Sequence, residues 1–92
     1  MIYVIQMRGT SYYKIGFSDC EPEKRRAQLQ TGNPLPLEIV LTMDGNEVLE
    51  RQLHLRFWAF RTDANNEWFN LSAEHIQEIS VHARQYNHHS GS

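Results

Sequence analysis

The stretch Ile2-Tyr3-Val4-Ile5-Gln6-Met7-Arg8-Gly9-Thr10-Ser11-Tyr12-Tyr13-Lys14-Ile15-Gly16-Phe17 decides the fold. Two runs rich in β-branched and aromatic residues flank Arg8-Gly9-Thr10-Ser11, whose residues favour turns, so the segment reads as a β-hairpin. Side chains alternate across a strand, which puts Tyr12, Lys14 and Gly16 on one face and Tyr13, Ile15 and Phe17 on the other. A two-residue Arg8-Gly9 turn would set Tyr3 opposite Lys14 and Ile5 opposite Tyr12. A phenol and an ammonium would then lie side by side.

Working outward, Glu21-Pro22-Glu23 places proline and acids where a first helical turn accepts them, and this helix continues through Leu29 to stop near Thr31-Gly32. Asn33-Pro34-Leu35-Pro36 cannot be helical throughout, and Glu38-Ile39-Val40-Leu41-Thr42 reads as a third strand. Asn46 can cap a second helix with Val48, Leu49, Leu53 and Phe57 at helical spacing, running to about Trp58. Phe60 to Asn66 is polar and loop-like, and Trp68-Phe69 is a short apolar anchor. Ser72 caps a third helix with Ile76, Ile79, Ala83 and Tyr86 inward. The order predicts an α+β fold: a small, mainly antiparallel three-stranded sheet, hairpin plus third strand, packed with about three helices. Residues 1–86 form a single domain on this reading and 87–92, with His88 and His89, a disordered tail.

A chain of 92 residues and 10.8 kDa holds one compact domain. Hydrophobic residues at 40% and charged residues at 22% exclude disordered, collagen-like and coiled-coil classes. The single cysteine, Cys20, makes neither an internal disulfide nor a multi-thiolate zinc cage, and His75 and His82 lack metal spacing. No apolar run approaches the roughly 18 residues of a membrane helix, and the opening Met1–Ile5 has no basic region. A cytoplasmic location without membrane contact is expected. Eight of the nine basic residues lie in 1–62 beside seven acidic ones, whereas the remainder holds only Arg84 against four acids. Contact with nucleic acid would come from a local patch in the first part.

The phenol of Tyr3, the amine of Lys14, the guanidinium of Arg25 or Arg26, and the Glu50 carboxylate and His54 imidazole, four apart on one helical face, are the parts of a phosphodiester hydrolase. Each has a plain alternative: a strand aromatic, a solvated lysine, surface ion pairs with Arg26 the better candidate, and a satisfied histidine. Glu67 reads as a loop cap or a site carboxylate. Trp58, Phe60, Trp68 and Phe69 suit base stacking, although packing around a small sheet is the favoured use.

With these residues in order, Ile2-Tyr3, Lys14-Ile15-Gly16, Glu23-Lys24-Arg25 and Leu49-Glu50, the chain resembles the GIY-YIG endonuclease superfamily. Tyr13-Lys14-Ile15-Gly16, Leu29-Gln30-Thr31-Gly32-Asn33-Pro34, Leu53-His54-Leu55-Arg56-Phe57 and Glu67-Trp68-Phe69 resemble its small phage-type branch, from Ile2 to about Ile79. The resemblance implies a metal-dependent endonuclease acting on double-stranded DNA, or a catalytically degenerate DNA-binding or protein-interaction module of the same fold. It makes Tyr3 the group that activates water, Lys14 a variant able to lower the phenol's pKa, Arg25 the phosphate contact, and Glu50 the ligand of one Mg2+ or Mn2+ ion. His54 could serve as an acid or base in place of the residue four after the helix arginine, which is Leu29 here. Asn65, Asn66 and Asn70 compete for a late asparagine, and Met1 stands where the first signature has glycine.

Overall fold

The computed structural model describes residues 1–63 and 66–91, and side chains outside 63–67 and 88–92. Asn65 and the side chains of Asn66, Glu67, His88 and His89 therefore lie outside the described residues. The elements are β1 (Ile2–Met7), β2 (Tyr12–Phe17), α1 (Pro22–Gln30), β3 (Leu37–Met43), α2 (Glu47–Arg56), a 3-10 turn at Trp58–Phe60, β4 (Arg61–Asp63), β5 (Asn66–Asn70) and α3 (Ala73–Gly91). α3 thus reaches into the stretch expected as a tail. Among the described residues, no helix is long and apolar enough to cross a membrane.

The strands form one five-stranded antiparallel sheet in the order β3-β1-β2-β5-β4. This corrects the three-stranded sheet expected from sequence. The stretch assigned to a loop and an anchor supplies β4 and β5, and β5 pairs with β2 through Tyr12↔Asn70, Tyr13↔Phe69 and Lys14↔Trp68. Local patterns missed β4 because it is short and polar, and its pairing partner comes after it in the chain.

The hairpin register also differs. Thr10 N–H closes a turn on Met7 O at 3.0 Å, Gly9 takes φ +80°, and the connection is four residues long instead of two. Tyr3 therefore faces Gly16, and Ile5 faces Lys14. A shift of two residues preserves which side chains share a face, so Tyr3 and Lys14 remain on the same side as diagonal neighbours.

Each face has its own core. Ile2, Val4, Ile15 and Phe69 pack with Leu49, Leu53 and Phe57 from α2 and its end, and with Ile79 and Ala83 of α3. On the opposite face Tyr3, Ile5 and Leu37 pack with Met7, Leu29, Ile39 and Trp68, which brings α1 over that side. A bulge in β3 at Val40 lets this strand serve both: Leu37 and Ile39 join the second cluster, Leu41 and Met43 the first. Val48, expected inward, is 49% exposed, and Trp58, favoured for packing, is 57% exposed.

Caps set the helix starts. Asn46 Oδ1 accepts Leu49 N–H at 3.0 Å, and Tyr86 donates to the same oxygen at 3.2 Å, which ties α3 to the head of α2. Ser72 Oγ accepts His75 N–H at 3.3 Å while His75 Nδ1 accepts Ser72 N–H at 3.1 Å. This is a capping box with imidazole in place of carboxylate.

Candidate functional site

Gly16 organises the site. A Cβ there would overlap Tyr3 Cζ and Oη, so the phenol lies flat against the strand only because this position has no side chain. Tyr3 is 2% exposed. Lys14 is 6% exposed and is the buried charged residue among those described, which corrects the solvated alternative. Lysines are buried this far only when hydrogen bonds hold the ammonium, so the position is expensive for a purely structural role.

On the other side of the same backbone, His54 Nε2 lies 2.7 Å from Ile15 O. A carbonyl only accepts, so Nε2 carries a proton and donates. The ring also meets Phe69 edge-on at 5.1 Å. One turn earlier in α2, Glu50 Oε1 lies 4.0 Å from His54 Nε2, with 32% of its side chain exposed. The described pairing of β5 with β2 ends at Lys14↔Trp68, and His54 takes the next residue's carbonyl. The Tyr3 hydroxyl and the Glu50–His54 pair thus flank one peptide unit, Ile15–Gly16, from the two sides of the sheet.

Arg25 lies on the α1 stripe that carries Leu29, is half-buried, and hydrogen-bonds Gln28 Oε1 at 3.1 Å. Arg26 instead pairs with Glu23 through its Nε at 2.9 Å to both carboxylate oxygens. The Arg26 hydrogen bonds hold the Glu23 carboxyl below its ordinary value and raise the guanidinium in turn. Leu29, where an acid or base was sought, packs into the Tyr3 cluster. The structure therefore places Tyr3 and Lys14 on the α1 side of the sheet, with Arg25 on α1 itself, and Glu50 with His54 on the α2 side.

Among the described residues no group of three His, Cys, Asp or Glu side chains could hold a metal ion. Glu50 offers a half-exposed carboxylate, which suits a hard ion that keeps most of its waters and leaves room for phosphate oxygens.

Gln30 is a residue that sequence patterns did not single out. Its Oε1 accepts Leu37 N–H at 2.7 Å, and its Nε2 donates to Leu35 O at 2.9 Å and Asn33 O at 3.3 Å. One side chain thereby fixes the whole α1–β3 connection against the sheet. The exposed Trp58 is covered by the Arg61 guanidinium, 4.2 Å from the ring centroid.

A family model, the T5orf172 domain, matches residues 1–84. No curated protein and no solved structure matches the chain. The matching model corrects the resemblance to the phage-type branch of the GIY-YIG superfamily: no GIY-YIG motif is shown, and Met1 and Lys14 stand where its signatures carry glycine and tyrosine. The matched domain is of nuclease or DNA-binding type, which fits a DNA-acting function.

Proposed function

We propose that this protein, which belongs to the T5orf172 domain family, is an endonuclease that hydrolyses phosphodiester bonds of double-stranded DNA at the end of β2 beyond its last pair with β5. The observation that carries the reading is the Ile15–Gly16 peptide flanked by the Tyr3 hydroxyl and by the Glu50–His54 pair, with buried Lys14 beside it. Tyr3 orients the attacking water, with the Lys14 ammonium diagonal to it on the same face of the sheet. Arg25 neutralises the phosphate, and His54 anchors α2 to β2 so that Glu50 is held there. Glu50 would hold one magnesium or manganese ion, which supplies positive charge at the phosphate and leaving oxygen when bound. The reading carries with it a cytoplasmic site of action.

Nicking of supercoiled plasmid with magnesium or manganese tests this. Glu50→Gln and Arg25→Ala are expected to lower the rate by about 100-fold or more, the scale of losing one preorganised charge partner. Arg26→Ala, which breaks only a surface pair, leaves the rate within about twofold. Retention of nicking in Glu50→Gln would overturn the proposal.

A second reading is a DNA-binding module of the same fold without turnover. Leu29 favours it, because an apolar side chain packed under Tyr3 does no proton transfer. Binding of duplex DNA with no cleavage under any divalent ion would select it.

A further inference from the structure

Three segments that the proposed hydrolysis leaves unused meet at one place. Two adjoining hollows, about 320 and 350 Å³, lie along β2, β4 and β5, the first on the α1 side of the sheet. The first is lined by Met7, Tyr12, Asn33, Thr62 and Trp68; the second shares Tyr12 and Thr62 and adds Phe60, Arg61 and Asn70. Tyr12 sits in the wall between them and is 41% exposed.

The chemistry of the lining is specific. Trp68 and Tyr12 supply two aromatic surfaces, and both lie on the sheet face of Lys14, since Trp68 is its cross-strand partner and Tyr12 is two residues before it. Asn33 Oδ1 is taken by Leu35 N–H at 3.1 Å, so the amide orientation is fixed and its nitrogen is the donor left for a ligand. Gln30 holds that loop in place. Ser11 likewise donates to Asn70 Oδ1 at 2.6 Å. Rings for stacking, amide donors for a carbonyl edge and the Arg61 cation for phosphate describe a nucleobase with its backbone, not a peptide or lipid.

We infer that the Tyr12–Trp68 hollow binds an unpaired DNA base displaced from the strand near the scissile phosphate. Tyr12 and Gly16 stand four residues apart, about 13 Å along β2, which is the scale of two nucleotides. The inference rests on the hydrolase reading for the position of that phosphate. Base recognition of this kind would direct cleavage to distorted or single-stranded positions, where unstacking costs least.

The full chain is titrated with end-labelled oligothymidylate on the order of 12 nucleotides, within the range of single-strand sites, and with an abasic oligomer of equal length. Anisotropy is expected to show about tenfold tighter binding of the oligothymidylate, the scale of one stacked base. Tyr12→Ala should erase that difference, and Tyr12→Phe should keep it. Equal affinity for the two oligomers, or an unchanged preference in Tyr12→Ala, would overturn the inference. Plasmid nicking that survives in Tyr12→Ala while base preference was never present sinks the pocket and leaves the hydrolase; base preference without nicking does the reverse.

Discussion

The face of the sheet under α2 and α3 and the face under α1 share the same strands but differ in what they bury. Beneath α2 and α3, Ile2, Val4, Ile15 and Phe69 meet Leu49, Leu53, Phe57 and Ile79, and every one of these is at most 2% exposed. Beneath α1, the buried cluster among the described residues is Tyr3, Ile5 and Leu37, with Lys14 enclosed next to it and Gly16 contributing no side chain. α1 itself has no buried residue. The contrast teaches that folding energy is concentrated on one side, which lets the other keep a buried charge, a strand glycine and a hollow that a domain this small could not otherwise tolerate.

Substitutions that strike the two faces separately should break or sharpen this division. The largest stability loss is expected for Leu53→Ala, about 3 kcal/mol in urea denaturation, because it opens a cavity in the fully buried cluster. Gly16→Ala should cost about 1–3 kcal/mol, since the new methyl displaces the Tyr3 ring, and it should abolish nicking out of proportion to that loss. If Gly16→Ala nicked normally, the close fit of phenol and strand would be irrelevant to the chemistry. Gln30→Ala should cost about 1 kcal/mol by freeing the α1–β3 connection, and should weaken oligothymidylate binding while duplex nicking stays within about threefold.

The smallest effect belongs to Glu23→Gln at the surface of α1. The Glu23 carboxyl is held below its ordinary 4.5 by Arg26, so the pair's contribution is full above that value and is lost as pH falls through the lowered one. Thermal unfolding of Glu23→Gln and the unchanged chain should therefore differ slightly at pH 7 and coincide at the acid end of the range. A larger difference in acid would contradict the assignment.

Much of this division was legible in the amino-acid pattern. Alternation along Tyr12–Phe17 put Lys14 and Gly16 on one face and Ile15 on the other, and helical spacing marked Leu49, Leu53, Ile79 and Ala83 as inward. The strands β4 and β5 were not legible, because Arg61–Asp63 is polar and what orders it is pairing with a strand that follows, not a periodicity of its own. The register was not legible either, since a two-residue and a four-residue turn place the same side chains on the same faces. Of the candidate site, residue types and the Glu50–His54 spacing could be read. The burial of Lys14 and the clamp by Gln30 could not, because both depend on elements distant in the chain. Neither could the placement of α1 and α2 on opposite faces, which puts the two sets of groups on opposite sides of the sheet.

The central claim is that these two sets act together across the Ile15–Gly16 peptide. A crystal of the protein with duplex DNA and manganese, read by anomalous scattering, tests it most directly. One peak bound to the Glu50 carboxylate, on the side facing Gly16 and Tyr3 and touching a DNA phosphate oxygen, is the predicted result. DNA present with no manganese at Glu50, or with its phosphate remote from Gly16, would contradict the account.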